Sequence, residues 1–550
     1  MRWLRWSIGT SMSESKREQV FQGLSVSGGV AIGPIYILNE KTAARRSFTT
    51  VEGETRAFRE AVATAGGQLE ELIASQDKLA GEILEFQLAL LDDDDMLAPV
   101  FRAIEDGTPW DEAWSATLGR EIAEYAQSGG CTLAARADDL ADLRDRVLRA
   151  PHGSEPSRRQ IPQGAILVAA DLTPSAFLAL DWEAVAGAAT LGGSPVSHVS
   201  ILARARGINF VVGLNATPGE FEQGATAILD AAKGMLTVHP SSRAIASANV
   251  RIDTEREERI DIEALLSRPA ATAGGEPVKI MVNIDEPDRL DALSPEFCDG
   301  VGLTRTEFLF TAAHLPGEDE QFAFYRRLLA WAAGRPVTIR TLDAGGDKPI
   351  AGVTVDGEAN PFLGVRGLRL SFARPEIFRV QLRALARAAA EGPVNVMFPM
   401  VTVPAELTQA RRMMLAEIAD LQRAGVNCAV PHMGIMVEVP VVALTAADFD
   451  ADFYSIGSND LIQYATACAR DSAGLAALAD PNNPAVTELI RRTVEAARRR
   501  GVEVSLCGDM ASSPQLIGGL LDTGLRTLSC APAQIGPVKL AVSRYAPKPA

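Results

Sequence analysis

From residue 278 to the end of the chain, short β-prone apolar runs alternate with longer amphipathic stretches. The runs are Val278–Ile284, Gly300–Arg305, Val337–Leu342, Val394–Val401, Gly434–Val439, Phe453–Gly457, Val502–Cys507 and Leu528–Ala531. Strands separated by helices pair in parallel, because each helix carries the chain back across the sheet before the next strand begins. Eight such units over about 270 residues predict a (β/α)8 barrel.

Function in such a barrel gathers at the C-terminal ends of its strands. Here those ends carry Asn283, Arg305, Arg340 with Asp343, Glu438, Asn459 with Asp460, and Cys507 with Asp509. Glu438 and Asp460 follow consecutive strands. Two carboxylates with open positions for water and substrate oxygens suit Mg²⁺ better than Zn²⁺. The plainer alternative makes Asp460 a helix cap and Glu438 a solvated residue. Arg305, Arg340 and Arg366 each read singly as surface ion-pair residues. Brought to one mouth, their like charges need an anion between them, which implies a substrate with several negative charges. A cysteine ending a buried strand is most often inert, but a protonated Cys507 at this rim can act as a general acid.

A second feature lies upstream, in Leu191-Gly192-Gly193-Ser194-Pro195-Val196-Ser197-His198-Val199-Ser200-Ile201-Leu202-Ala203-Arg204. The five histidines are His152, His198, His239, His314 and His432. Only His198 sits in a glycine-rich turn before an apolar helical run. A helix opening just after it aims unpaired N–H groups at the imidazole and favours an anion there, such as a phosphoryl group. Neutral imidazole is a competent nucleophile near neutral pH.

Around that turn the chain again reads as strands. Ala165–Ala170, Asn209–Gly213 and the hairpin of Ala227–Asp230 with Met235–Val238 are the clearest, and Asp171–Ser175 reads as a cap and turn into a helix. Residues 20–40 are short strands too. Residues 52–150 differ: they are rich in Ala, Leu, Glu and Arg at helical spacing, and four helices are expected. Leu84, Leu88 and Leu91 share a face. The run Asp92–Asp95 is solvated surface or a docking face for a basic partner. The expected organisation is an extension over 1–18, with Met12 a possible start, and an α/β domain bearing His198 over 19–45 and 155–240. A helical insertion occupies 46–154, a linker and hinge helix 241–277, and the barrel 278–550.

The formal net charge of −17 disfavours nucleic acid as a partner. The cysteines (Cys131, Cys298, Cys428, Cys468, Cys507, Cys530) form no CxxC pair, which suits a reducing cytoplasm rather than a disulfide framework or a zinc site. No signal peptide and no run long enough for membrane insertion is read.

Taken in order, these stretches resemble Enzyme I of the bacterial phosphotransferase system, the phosphoenolpyruvate–protein phosphotransferases. The resemblance covers residues 20–540. It is carried by Ile166–Ser175, the Ser197-His198 turn, Gly300–Phe310, Ile339–Lys348, Asn360–Arg366, Phe398–Met400, Gly434–Pro440, Ser455–Asp460 and Leu506–Asp509. It implies that His198 takes the phosphoryl group of phosphoenolpyruvate and passes it to a histidine of the carrier HPr. It also implies that Glu438 and Asp460 hold Mg²⁺, that Arg305, Arg340, Arg366, Asn459 and Arg470 bind substrate, and that Cys507 protonates the enolate. The barrel would form a homodimer and the helical insertion would dock HPr. The active turn departs from the family: Val196-Ser197-His198-Val199 stands where Thr-Ser-His-Thr is usual. The hydroxyl that orients the imidazole is missing unless Ser194 or Ser197 supplies it. Thr304, Asp509 and Gln87 stand where an apolar residue, Glu and His are common. A dikinase is disfavoured because the chain holds no ATP-binding domain. A paralogous regulator serving a specialised HPr-like partner is the alternative reading, with a non-catalytic scaffold further behind.

Overall fold

The computed structural model describes residues 17–38, 50–75, 78–127, 131–152, 161–285, 290, 293–310, 314–346, 348–355, 357–469, 475 and 477–547. The chain divides into two compact units, Met1–Arg256 and Glu257–Ala550.

The first unit is built on an eight-stranded sheet. Its strands are β1 (Gln19–Gln22), β2 (Leu24–Ser25), β3 (Val30–Leu38), β4 (Ala165–Ala169), β5 (Val185–Thr190), β6 (Phe210–Val212), β7 (Thr226–Asp230) and β8 (Met235–Val238), in the order β1-β8-β7-β3-β4-β5-β6-β2. Strands β3 to β6 run parallel in sequence, and β7, β8, β1 and β2 add antiparallel pairs around them. Strands from both sides of the helical segment therefore share one sheet. All five residues of β4 are buried, the pattern of a strand covered on both faces.

Between β3 and β4 the described residues form five α-helices, one more than the sequence suggests: α1 (Val51–Ser75), α2 (Lys78–Leu91), α3 (Asp94–Glu105), α4 (Trp110–Gln127) and α5 (Cys131–Arg149). The extra boundary comes from the acidic run. Asp93 has an extended backbone and its carboxylate accepts the N–H of Asp95, so it caps α3, with Asp94 and Asp95 in the first turn. Leu84 and Leu91 face the core that α1, α4 and α5 fill with Phe58, Leu69, Trp114, Leu118 and Leu143, while Leu88 packs at its edge. After β4 come the short helix α6 (Pro174–Leu178), capped by Thr173, and α7 (His198–Ala205) between β5 and β6. The long helix α8 (Ser242–Leu266) follows β8, and the division between units falls within it.

The second unit is the closed barrel. Its strands are β9 (Lys279–Ile284), β10 (Val301–Thr304), β11 (Val337–Arg340), β12 (Val394–Phe398), β13 (His432–Val437), β14 (Phe453–Gly457), β15 (Glu503–Cys507) and β16 (Thr527–Cys530). Each pairs in parallel with the next, and β16 closes on β9. Ile280, Val282 and Ile284 face the surrounding helices, so Met281 and Asn283 face the barrel interior. Asn283 is consumed there: its amide donates to the Ser529 carbonyl (3.3 Å) and accepts from the Ser529 hydroxyl (2.6 Å).

Strand β10 breaks the alternation. Val301 pairs with Val282, Leu303 with Asn283 and Thr304 with Ile284, so one residue bulges at Gly302. Gly302 lies against Ser529 and Met281, and Leu303 packs with Met397, Met436 and Cys507, so both face inward. The bulge inverts the phase of the residues after it and aims Arg305 at the mouth. A Cβ at Gly302 would lie 2.4 Å from the Ser529 hydroxyl oxygen and 2.8 Å from Met281 Cβ. Gly302→Ala is expected to destabilise the barrel by about 1–3 kcal/mol, read as a lower midpoint in its denaturant-induced unfolding.

Candidate functional site

The first candidate site belongs to the N-terminal unit. Gly193 adopts φ +88°, a conformation costly for any residue with a Cβ, and turns the chain from β5 into α7. Ser197 caps α7, its hydroxyl accepting the N–H of Ser200 at 3.3 Å, so the helix opens on His198 itself. His198 Nδ1 lies 2.8 Å from Oδ1 of Asp139, and that carboxylate is almost fully buried on α5. Nothing in the local sequence flagged Asp139. It sits in Ala137-Asp138-Asp139-Leu140, an ordinary amphipathic stretch, and only the packing of α5 beside the α7 turn brings it to the imidazole.

The second candidate site is the mouth of the barrel, and its centre is Asp343. Arg340 Nη1 lies 3.0 Å from Asp343 Oδ2, and Arg366 Nη2 lies 3.0 Å from the same oxygen. Arg366 Nη1 reaches Asp460 Oδ1 at 3.1 Å and Arg340 Nη2 reaches Glu307 Oε2 at 3.1 Å. Arg340, Arg366 and Asp343 are each at most 4 % exposed. Burial alone would raise the Asp343 pKa; the charges of Arg340 and Arg366 outweigh it and hold the carboxyl down at about 2. The expectation that these arginines need a substrate anion between them is thus corrected. Carboxylates of the chain supply the counter-charge, because Asp343 follows Arg340 by three residues and bridges it to Arg366. Arg305 stands at the edge, about a third exposed, with Nη1 3.0 Å from Asp285 Oδ1.

Glu438 is fully buried, not a solvated residue. Its Oε1 accepts the N–H of Met400 at 2.6 Å, and Met400 takes the left-handed φ of +55°. Strain of this kind at a non-glycine residue gathers at functional sites. Glu438 Oε2 is buried without a hydrogen-bond partner. Burial, and then the negative charges of Asp460 and Asp343, push the Glu438 pKa up to about 8. Asp460 lies in the first turn of the helix Ser458–Thr466, whose N-cap is Gly457, so it is an ion-pair partner rather than the cap.

Cys507 ends β15 in the interior, 2 % exposed, and accepts a weak contact from the Ser455 hydroxyl at 3.6 Å. Burial pushes its thiol pKa up, so it is protonated near neutral pH. It lies close enough to Arg340 and Glu438 for their charges to act on it. Asn459 is drawn toward the neighbouring loop, where its Oδ1 accepts the N–H of Asp509 at 2.9 Å. Arg470 lies outside the described residues. Glu307 is a residue that sequence reasoning did not single out: it faces Arg340 and accepts the N–H of Asp343 at 2.9 Å.

Removing Asp343 takes away the carboxylate that two buried guanidinium groups share, leaving Arg340 with Glu307 and Arg366 with Asp460. Asp343→Ala is expected to cost ~3–5 kcal/mol in stability at neutral pH, measured by denaturant unfolding of the barrel. Its folded pKa lies below the ordinary 3.8, so the stabilisation is complete above that value and is lost as pH falls toward 2. The difference between wild type and variant is therefore expected to shrink over that acid range.

Residues 260–546 match the phosphoenolpyruvate-binding domain of the PEP-utilising enzymes, residues 161–234 their mobile domain and residues 22–136 their N-terminal domain. The chain is 35% identical to the phosphoenolpyruvate-protein phosphotransferase of Bacillus sp. (strain S) over 549 residues, covering 97% of this chain and 95% of that one. The enzyme of the same name from Bacillus subtilis (strain 168) is also 35% identical, over 96% of this chain and 94% of its own. A match of this extent, spanning both units, places the chain in the family of phosphoenolpyruvate-protein phosphotransferases, the Enzyme I family.

Proposed function

We propose that the chain transfers the phosphoryl group of phosphoenolpyruvate to His198 and from there to a histidine of HPr or an HPr-like carrier, releasing pyruvate. This is the first step of phosphotransferase-system sugar uptake. The observation that carries the reading is the barrel mouth, where buried Arg340 and Arg366 adjoin Glu438 and Asp460. Arg305, Arg340 and Arg366 would bind phosphate and carboxylate oxygens through their planar forks, with Asn459 and Arg470 completing the substrate set. In the first transfer the P–O bond to the enol oxygen breaks and an N–P bond to His198 forms. The enolate carbon then takes the proton of the Cys507 thiol to give pyruvate, and the thiolate recovers a proton from solvent. The raised thiol pKa suits a group that must hold its proton until the enolate forms.

Glu438 and Asp460 would hold a divalent cation, as the PEP-utilising family implies in general, and Mg²⁺ is the ion their oxygens suit. The unpartnered Glu438 Oε2 and the raised pKa of that carboxyl both fit a missing positive charge. Among the described residues no group of three or more His, Cys, Asp or Glu forms a metal site, so water and substrate oxygens would complete the shell. When bound, the cation supplies charge stabilisation to the enolate and the phosphoryl oxygens.

In this reading the 241–277 stretch is the hinge that lets His198 visit first the rim and then the carrier. The helical insertion 46–154 would dock the carrier, and the barrel would form a homodimer. A cytoplasmic location fits the free thiols of Cys298, Cys428, Cys468, Cys507 and Cys530. No helix among the described residues is long and apolar enough to cross a membrane. The paralogous regulator differs only in its carrier.

Incubation with ³²P-phosphoenolpyruvate is expected to give an acid-labile, Mg²⁺-dependent label on wild type and none on His198→Ala. Label surviving in the variant would move the acceptor elsewhere. The raised folded pKa of Glu438 makes its ionisation destabilising without a cation as pH rises from 4.5 through about 8. Mg²⁺ is therefore expected to raise the melting temperature of wild type near and above the upper value, and to leave Glu438→Gln unchanged.

A further inference from the structure

We infer that Asp139 is the positioning residue of His198, and that one turn of α5 is built to hold it in place. The inference rests on the reading of His198 as phosphoryl acceptor. The turn before α7 has two hydroxyls in reach, and both serve the turn itself. Ser197 Oγ accepts the N–H of Ser200 and donates to the Ser200 hydroxyl at 3.1 Å. Ser194 Oγ accepts the N–H of Val196 at 3.4 Å, and the Ser194 carbonyl accepts the Ser200 hydroxyl at 2.7 Å. Val199 carries no hydroxyl. The orienting group at Nδ1 is a carboxylate delivered by another helix.

Asp139 and Asp142 are three residues apart on α5 and so share a face. Asp142 is fully buried and accepts three hydrogen bonds: the Ser175 hydroxyl at 2.6 Å, the Ser175 N–H at 3.1 Å and Gln87 Nε2 at 3.0 Å. Gln87 Nε2 also donates to the Asp139 carbonyl at 3.4 Å. These bonds tie α5 to α6 and α2 and fix its rotation, which points the Asp139 carboxylate at the imidazole. Gln87, where histidine is common in the family, is thereby a member of this network.

An ionised carboxylate only accepts hydrogen bonds, so Nδ1 carries the ring proton and Nε2 is the nucleophile. As the Nε2–P bond forms and the P–O bond breaks, the ring gains positive charge while keeping its Nδ1 proton. A buried anion at 2.8 Å offsets that charge and is in place before the reaction starts. The reverse holds when the phosphoryl group leaves for the carrier.

The test uses the full chain with ¹⁵N-histidine, read by two-bond ¹H–¹⁵N spectra at about pH 8. His198 signals are assigned by their loss in His198→Ala. Wild type is expected to show the Nδ1–H tautomer. Asp139→Asn is expected to lose that preference and to slow label uptake from phosphoenolpyruvate by about 10²–10⁴-fold with KM little changed, and Asp139→Glu to recover part of the rate. Asp142→Asn, which weakens the bonds that hold α5, is expected to lower stability and to weaken the Nδ1–H preference less than Asp139→Asn does. A wild-type spectrum with Nε2–H, or an Asp139→Asn enzyme with wild-type tautomer and rate, would overturn the inference. The tautomer is read without turnover. A wild type that takes no label but shows Nδ1–H would sink the phosphotransfer reading and leave the positioning role standing.

Discussion

The barrel mouth depends on one buried carboxylate. Asp343 accepts from Arg366 and pairs with Arg340 through the same oxygen, while Arg366 extends to Asp460. Without Asp343, two buried guanidinium groups would lose the carboxylate between them, and removing one partner of a buried ion pair is strongly destabilising. With it, both arginines are held at fixed points by ion pairs within the chain. Beside this network Glu438 is buried, and burial first, then the negative charges of Asp460 and Asp343, raise its pKa.

The histidine site follows a related logic on a different scaffold. There too a buried carboxylate meets a polar side chain, Asp139 at 2.8 Å from His198 Nδ1. In the barrel the carboxylates come from loops at strand ends, whereas in the N-terminal unit the carboxylate comes from an inserted helix. The insertion is therefore part of the histidine site as well as a separate helical layer. A second aspartate one turn along, Asp142, adds hydrogen bonds to Ser175 to the apolar packing that joins that helix to the sheet domain.

Much of this was legible in the chain. All eight barrel strands lie where alternation places them, because a strand covered on both faces must be apolar and short, and its helices must be amphipathic. Glu438, Asp460, Arg340 and Cys507 were legible as candidates because strand ends are where a barrel exposes chemistry, whereas Arg366 lies in the segment between β11 and the helix that begins at Leu368. The extra helix over Asp94–Glu105 was missed because an acidic run reads as solvated surface, whereas one aspartate of that run is a cap. Asp139 was invisible because nothing local separates a buried aspartate on an amphipathic helix from an exposed one.

The sequence by itself determined the class of the fold, the order of its elements and the residue types that carry the chemistry. These follow from periodicity, turn residues and short motifs, all local along the chain. Only the tertiary structure decided which groups meet. It placed Asp343 between two arginines, shifted the phase of β10 before Arg305 through a bulge at Gly302, left one oxygen of Glu438 without a partner and set Asp139 against His198. Each of these joins residues far apart in sequence or depends on the phase of a strand. Pairing between distant charges is settled by packing and desolvation, which no local pattern encodes.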